Sequence, residues 1–177
     1  EFLKAPRVLK AILFTKKPET PAVWIKLFEA EDDRVVQLFI DTSASMKGPK
    51  LTLAKELAGA LSVIALGGQD RLSVAGVNEQ LHSYLPPQRG RQRVSPTLTI
   101  LEGLPASGKT NWNQAMTQLP RQRGGGVALL FTDGLDEESL EKSLRRLVSR
   151  NNDVHIFHIL SPEGWRPSVR GDLLLVD

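Results

Sequence analysis

Apolar and polar residues follow one another along this chain in patterns that predict strands and helices in turn. Residues 22–29 and 34–40 are β-rich runs separated by an acidic turn, and apolar residues on both faces of the second run predict a buried strand that ends at Asp41. The same kind of pattern predicts further strands, at 71–77, 80–85, 127–133, 153–160 and 173–177.

Helices are predicted where apolar residues recur every three or four positions. Such spacing occurs at 49–66, where two glycines supply the stop, and at 136–150, which has an acidic first turn and a basic last turn. Ser95 followed by proline predicts the N-cap of another helix that ends at Gly103, although residues 97–100 are also short enough for a strand. A further short helix is predicted after residue 110.

The alternation of strands with helices predicts an α/β fold. Crossovers through helices join parallel strands, so we expect a mostly parallel central sheet with helices on both faces. Residues 80–85 turn back beside 71–77 and predict an antiparallel edge strand. Residues 1–21 carry little pattern, and we interpret them as a tail or the remnant of a preceding region, with one domain over 22–177.

Composition narrows the classes of function. The 177 residues carry a net charge of +3 and contain no cysteine, which removes disulfides and thiolate metal sites. The basic clusters, such as residues 88–93, have no interleaved aromatic residues, so we expect no nucleic-acid binding. No apolar run is long enough for a membrane span. We expect a cytoplasmic fragment of a longer chain, because it begins with Glu-Phe, and membrane anchoring of the full-length protein stays open.

Residues 103–110, Gly-Leu-Pro-Ala-Ser-Gly-Lys-Thr, match the pattern of a nucleotide-binding P-loop. A P-loop joins a buried strand to a helix, so that backbone N–H groups hold phosphates at the helix N-terminus. Here the preceding segment favours a helix, and too little chain follows Thr110 for the rest of a P-loop domain. Nucleotide binding is therefore the alternative function, and the less favoured one.

A second motif explains more of the chain. Asp41, Ser43 and Ser45 form D-x-S-x-S directly after a buried strand, and Asp133 ends another strand at the same edge of the predicted sheet. The motif resembles the metal-ion-dependent adhesion site of von Willebrand factor A domains. That resemblance implies that Thr110 and Asp133 complete the site. Mg²⁺ prefers hard oxygen ligands in octahedral array, which hydroxyls and carboxylates supply.

The run of motifs from about residue 25 to 177 is similar to one bacterial branch of these domains, the domain of unknown function 58 group. The segments that carry this similarity are the D-x-S-x-S loop with its following helix, residues 70–77, residues 85–91, the threonine-bearing glycine loop, residues 129–138 and residues 152–162. The resemblance implies a Rossmann-like von Willebrand factor A fold. The third loop reads Gly-Lys-Thr-Asn where the group more often has Gly-Gly-Thr-Asp, and Lys109 would weaken cation binding if it pointed inward.

The resemblance also implies a function. We expect a non-enzymatic adaptor that holds Mg²⁺, Mn²⁺ or Ca²⁺ through Asp41, Ser43, Ser45, Thr110 and Asp133. A partner protein would supply an Asp or Glu to the open coordination position. Because genes of this group accompany MoxR-type AAA+ ATPases, such an ATPase is the expected partner.

Enzymatic alternatives fit the sequence less well. Asp41 could be the nucleophile of an aspartyl-phosphate phosphatase, but that chemistry needs a second carboxylate at position 43, which is serine. A serine hydrolase needs a histidine partner, and none of His82, His155 and His158 is expected at the carboxyl end of a strand. His155 and His158 should point to opposite faces of one strand, which disfavours a shared zinc ion.

Overall fold

The computed structural model describes residues 8–10, 26–28, 35–121 and 125–161 and divides into two units, residues 1–34 and residues 35–177. In the first unit, strands β1 (Val8–Lys10) and β2 (Lys26–Phe28) pair in antiparallel fashion, and β2 lies inside the predicted strand at 22–29. The predicted strand at 173–177 falls outside the described residues. The predicted domain boundary at residue 22 stays a prediction.

The second unit is built on a five-stranded sheet. Its strands are β3 (Val35–Asp41), β4 (Arg71–Val77), β5 (Leu81–Gln88), β6 (Gly126–Thr132) and β7 (Asn152–His158), in the spatial order β5-β4-β3-β6-β7. β3 pairs in parallel with β4 and β6, and β6 pairs in parallel with β7. β5 is antiparallel to β4, so the predicted α/β fold with a mostly parallel sheet and an antiparallel edge strand is confirmed.

Helices cover both faces of this sheet. They are α1 (Pro49–Gly67), α2 (Val94–Glu102), α3 (Trp112–Gln118) and α4 (Glu137–Ser149). Two separate apolar clusters result, because successive strand residues point to opposite faces. One joins Leu38 and Ile40 to α1 and α2, and the other joins Phe39 and Trp112 to α4. Within the described part of the chain, no helix has the length and apolar character that crossing a membrane requires.

The carboxyl ends of β3, β6 and β7 meet at one edge of the sheet. Asp41 ends β3 opposite Val77 of β4, and Thr132 ends β6 opposite His158 of β7. Since β3 is buried at the centre of the sheet, the loop that follows it is flanked by the loops after its neighbours. Ligand sites of parallel α/β sheets lie at this edge.

The bounds of the predicted helix after Ser95 and of the predicted edge strand differ from the structure. The helix predicted to start with Ser95 as N-cap begins instead at Val94, because a 3₁₀ turn over Arg91–Arg93 runs directly into it without a side-chain cap. The edge strand extends past residue 85 to Gln88 and includes two prolines. Proline is tolerated there because an edge strand has one row of N–H groups that need no partner in the sheet.

Candidate metal centre

The carboxylate of Asp41 is at the centre of the polar cluster at this edge. Asp41 is 1% exposed, and both of its carboxylate oxygens accept hydrogen bonds. Oδ1 accepts from the backbone N–H of Ser43 at 2.9 Å and from Thr110 Oγ1 at 3.1 Å. Oδ2 accepts from Thr132 Oγ1 at 2.7 Å. Three chain segments thus fix the orientation of one buried carboxylate.

The D-x-S-x-S segment leaves β3 and forms a 3₁₀ turn over Ala44–Met46. Met46 is fully buried and anchors this turn in the apolar core, so that the residues before it face the rim. The hydroxyls of Ser43 and Ser45 lie 2.9 Å apart. The alternation of the two serines therefore brings their oxygens together.

The loop after α2 carries Thr110 to the same place. Backbone hydrogen bonds tie this loop to the D-x-S-x-S segment, from Ser107 N to Thr42 O at 2.8 Å and from Ala44 N to Gly108 O at 2.9 Å. Gly108 has a φ of +70°, which favours glycine at that position. The distance between Thr110 Oγ1 and Asp41 follows from this docking of two loops.

The same loop does not have the architecture of a P-loop. It follows helix α2 instead of a strand, as the sequence favoured. Two of its backbone N–H groups are already used, since Ser107 donates to Thr42 and Asn111 donates to Asn78 O at 2.8 Å. α3, which follows the loop, has seven residues. A helix precedes this loop and a short helix follows it, so the strand–loop–helix arrangement of a P-loop is absent here.

Asp133 supplies the second carboxylate of the rim. Its side chain is 4% exposed, and Oδ2 forms an ion pair with Lys50 Nζ at 2.7 Å. Ser45 also contacts this carboxylate through a side-chain hydrogen bond. Burial raises the pKa of Asp133, but the hydrogen bonds from Lys50 and Ser45 and the positive charge of Lys50 outweigh burial and hold that pKa below its ordinary value.

The five residues predicted as metal ligands thus form one connected cluster. Thr110 and Ser43 contact Asp41, Ser43 contacts Ser45, and Ser45 contacts Asp133. Lys109, predicted to repel a cation if it pointed inward, is exposed. The cluster is a geometric finding, and its binding of a metal stays a prediction.

Sequence reasoning missed two residues of this cluster. Thr132 lies inside the buried run of β6, so it looked like an ordinary strand residue, but its hydroxyl orients Asp41 and also accepts from Gly134 N at 3.1 Å. Lys50 lies in the first turn of α1, where a positive charge is opposed by the helix dipole. That unfavourable position is the one signal in the sequence that could have identified it.

The prediction that no histidine stands at the carboxyl end of a strand was wrong. His158 is the last residue of β7, because that strand ends two residues before the predicted position. Its Nε2 is 3.0 Å from the backbone oxygen of Asp133, which accepts the hydrogen bond. His158 therefore supports the loop that carries Asp133, and no contact joins it to a serine hydroxyl among the described hydrogen bonds.

His82 also lies beside the cluster. Its Nε2 is 2.7 Å from Thr42 Oγ1, and since that hydroxyl donates to Val77 O, the histidine donates to Thr42. The ring lies against Gly76, where any side chain would collide with it. Burial lowers the pKa of His82, so the ring is neutral near pH 7.

The donor set suits a hard divalent cation. Mg²⁺ binds six oxygens at about 2.1 Å, which puts adjacent ligands roughly 3.0 Å apart. The Ser43–Ser45 and Thr110–Asp41 oxygen separations, 2.9 and 3.1 Å, match that spacing. Over the described ranges no cluster of three or more His, Cys, Asp or Glu residues is present, so hydroxyls would have to supply ligands beside the carboxylates of Asp41 and Asp133.

Comparison with known proteins gives a family. The family model described as "Protein of unknown function DUF58" matches residues 18–177. No curated protein sequence matches the chain.

Solved structures give the fold. A von Willebrand factor type A protein from Catenulispora acidiphila is 21% identical, with a TM-score of 0.51 over 71% of this chain and 33% of its own. The conserved hypothetical protein BatB from Bacteroides thetaiotaomicron is 18% identical, with a TM-score of 0.54 over 70% of this chain and 65% of its own. An aerotolerance-related membrane protein from Bacteroides fragilis is 19% identical, with a TM-score of 0.50 over 78% of this chain and 77% of its own.

The chain therefore spans a third of the first of these proteins and just under two thirds of the second. At such identities the similarity establishes a von Willebrand factor A-like fold and nothing about ligands or partners.

Proposed function

The chain belongs to the DUF58 family, as its motifs predicted, and on that premise we propose that it is a non-enzymatic, metal-dependent protein-interaction module. The cation would be held by Asp41, Ser43, Ser45, Thr110 and Asp133, with Mg²⁺ or Mn²⁺ as the best-fitting ions. The observation that carries this proposal is the polar cluster at one rim, where three separate loops bring Asp41, Ser43, Ser45, Thr110 and Asp133 into hydrogen-bond contact.

The chemistry of these donors favours recognition over catalysis. Neutral hydroxyls supply most of the direct ligands, so a bound cation would keep a large part of its positive charge and accept a further anionic ligand. The carboxylate of Asp41 accepts hydrogen bonds from Ser43 N and Thr132 Oγ1. Position 43 carries a serine, so no second carboxylate stands there to act as a general acid or base. An Asp or Glu side chain of a partner protein is the ligand of matching charge.

A MoxR-type AAA+ ATPase is the partner that we propose. Its support is the family resemblance, since genes of this group accompany such ATPases. The exposed rim around Ser45 and Lys109 gives a partner access to the cluster.

Calorimetric titration of Mn²⁺ and Mg²⁺ into the 177-residue chain tests metal binding. We expect saturable binding by the wild type and loss of it in Ser43→Ala, whose missing hydroxyl removes one ligand. Ser95→Ala is the matched control, because Ser95 is an exposed serine on α2 with a similar loss of one hydroxyl. Absence of measurable metal binding by the wild type contradicts the proposal.

The partner is tested by the same variants. Binding of a MoxR-type AAA+ ATPase should require Mg²⁺, disappear in excess chelator and disappear in Ser43→Ala but persist in Ser95→Ala. Binding that is equal with and without chelator would show that the interaction does not pass through the metal.

A further inference from the structure

Lys50 contacts the candidate metal centre directly. Its ammonium lies 2.7 Å from Asp133 Oδ2, where it places a full positive charge on one of the two carboxylates of the rim. The Asp133 side chain is 4% exposed and that of Lys50 is 19% exposed, so water screens this pair much less than a surface ion pair.

Helix energetics do not explain the position of this lysine. Lys50 is the second residue of α1, and a cation in the first turn of a helix is opposed by the positive end of the helix dipole. The first turn contains no acidic residue that could compensate. The contact with Asp133, which lies 83 residues away in the sequence, is therefore what holds the ammonium in place.

The charges at the rim follow from this contact. Asp41 and Asp133 supply two negative charges, and Lys50 cancels one of them. Another acidic residue nearby, Asp136, uses its carboxylate to cap α4 and to accept from the hydroxyl of Ser139. A divalent cation added to these groups leaves one net positive charge, whereas without Lys50 the same cation would be neutralised by the protein alone.

We infer that Lys50 sets the charge of this site so that a carboxylate from the partner, and not the protein itself, completes the neutralisation of the bound cation. This inference rests on the proposed function. Lys50 lowers the affinity of the site for the metal alone, and it increases the rise in metal affinity that an incoming anion produces. Metal binding and partner binding are thereby coupled, since each strengthens the other.

The test measures Mn²⁺ affinity by calorimetry for the wild type and for Lys50→Met, which keeps an unbranched apolar side chain, one atom shorter, and removes the charge. We expect Mn²⁺ to bind Lys50→Met roughly ten-fold more tightly, because an ammonium ion within the same partly buried cluster repels the cation. Lys50→Gln serves as a second uncharged variant that keeps a hydrogen-bond donor for Asp133. Affinity unchanged or weaker in both variants overturns the inference.

Two control variants separate the effect of the Lys50 charge on Mn²⁺ affinity from the effect of side-chain shape and from that of any lysine on α1. Lys50→Arg keeps the positive charge and should bind Mn²⁺ as the wild type does. Lys55→Met removes a lysine of the same helix whose Nζ donates to Glu102 O at 2.9 Å, away from the rim, and it should also leave the affinity unchanged.

Acetate, used as a probe for a partner carboxylate, tests the coupling. Excess acetate should strengthen Mn²⁺ binding to the wild type more than to Lys50→Met, and an equal effect on both proteins overturns the coupling. If neither protein binds Mn²⁺, the proposed function fails together with this inference. If both bind Mn²⁺ equally, the metal site stands and the role of Lys50 alone is refuted.

Discussion

Replacement of Thr132 by valine tests how the rim is held together in the absence of metal. Thr132 is 1% exposed, and its hydroxyl donates to Asp41 Oδ2 at 2.7 Å. Valine has nearly the same shape, so the substitution leaves no cavity, but the buried carboxylate loses one of its donors and water does not reach the vacated position. Hydrogen bonds to charged groups contribute about 1.5–3 kcal/mol each.

The effect on stability can be bounded from these contacts. The hydroxyl also accepts from Gly134 N at 3.1 Å, but Gly134 is half-buried, and its N–H can find water, which makes this second loss small. We therefore expect Thr132→Val to lose roughly 2–3 kcal/mol of unfolding free energy. For a domain of this size that corresponds to a fall in Tm of about 4–12 °C.

The assay is urea denaturation in chelator, followed by tryptophan fluorescence, for which the fully buried Trp112 is a suitable probe. Thr52→Val is the matched control, because the Thr52 hydroxyl is exposed and donates to Gly48 O within its own helix. Its change should stay within about 0.5 kcal/mol. Equal midpoints for the two variants would refute the conclusion that Thr132 holds the Asp41 carboxylate.

Three further predictions concern other parts of the molecule. Burial lowers the pKa of His82 below 6.5, so the folded chain binds fewer protons than the unfolded chain. The free energy of unfolding should therefore fall as the pH drops through about 6.5, and His82→Gln should weaken that dependence. Identical profiles of unfolding free energy against pH for the wild type and the variant would contradict this expectation. Gly126→Ala places a methyl group against the backbone oxygen of Val35 and should abolish the soluble fold. Gly67→Ala meets open space and should raise the free energy of unfolding by about 0.5–1 kcal/mol. A cooperative thermal melt of a folded Gly126→Ala protein would contradict the first of these expectations. ATP should show no calorimetric binding to the wild type, and binding that disappears in Lys109→Ala would instead support a P-loop.

The part of the site that could be predicted from sequence follows from parallel topology. Asp41 and Asp133 each follow a buried apolar strand, and parallel strands bring their carboxyl ends to one edge regardless of the details of packing. The alternation of Ser43 and Ser45 is a local pattern, so their place in the loop after β3 could also be predicted from the sequence. Helix and strand positions were predictable for the same reason, since their apolar spacing reflects burial.

The remainder depends on contacts that local patterns do not encode. The Lys50–Asp133 ion pair joins the first turn of α1 to the loop after β6, 83 residues away, and no local pattern of the sequence indicates such a contact. Ser95 has good N-cap chemistry, but a 3₁₀ turn upstream continues into the helix and overrides it. His82 contacts Thr42 only because the edge strand folds back along β4.

The most direct test of the metal centre is a crystal structure of the chain grown with Mn²⁺ and measured for anomalous scattering. We predict one strong anomalous peak at the rim, within about 2.0–2.3 Å of the hydroxyl oxygens of Ser43, Ser45 and Thr110. A map without a peak there, from crystals that contain the ion in excess, would contradict the proposal that these three loops together bind a divalent cation.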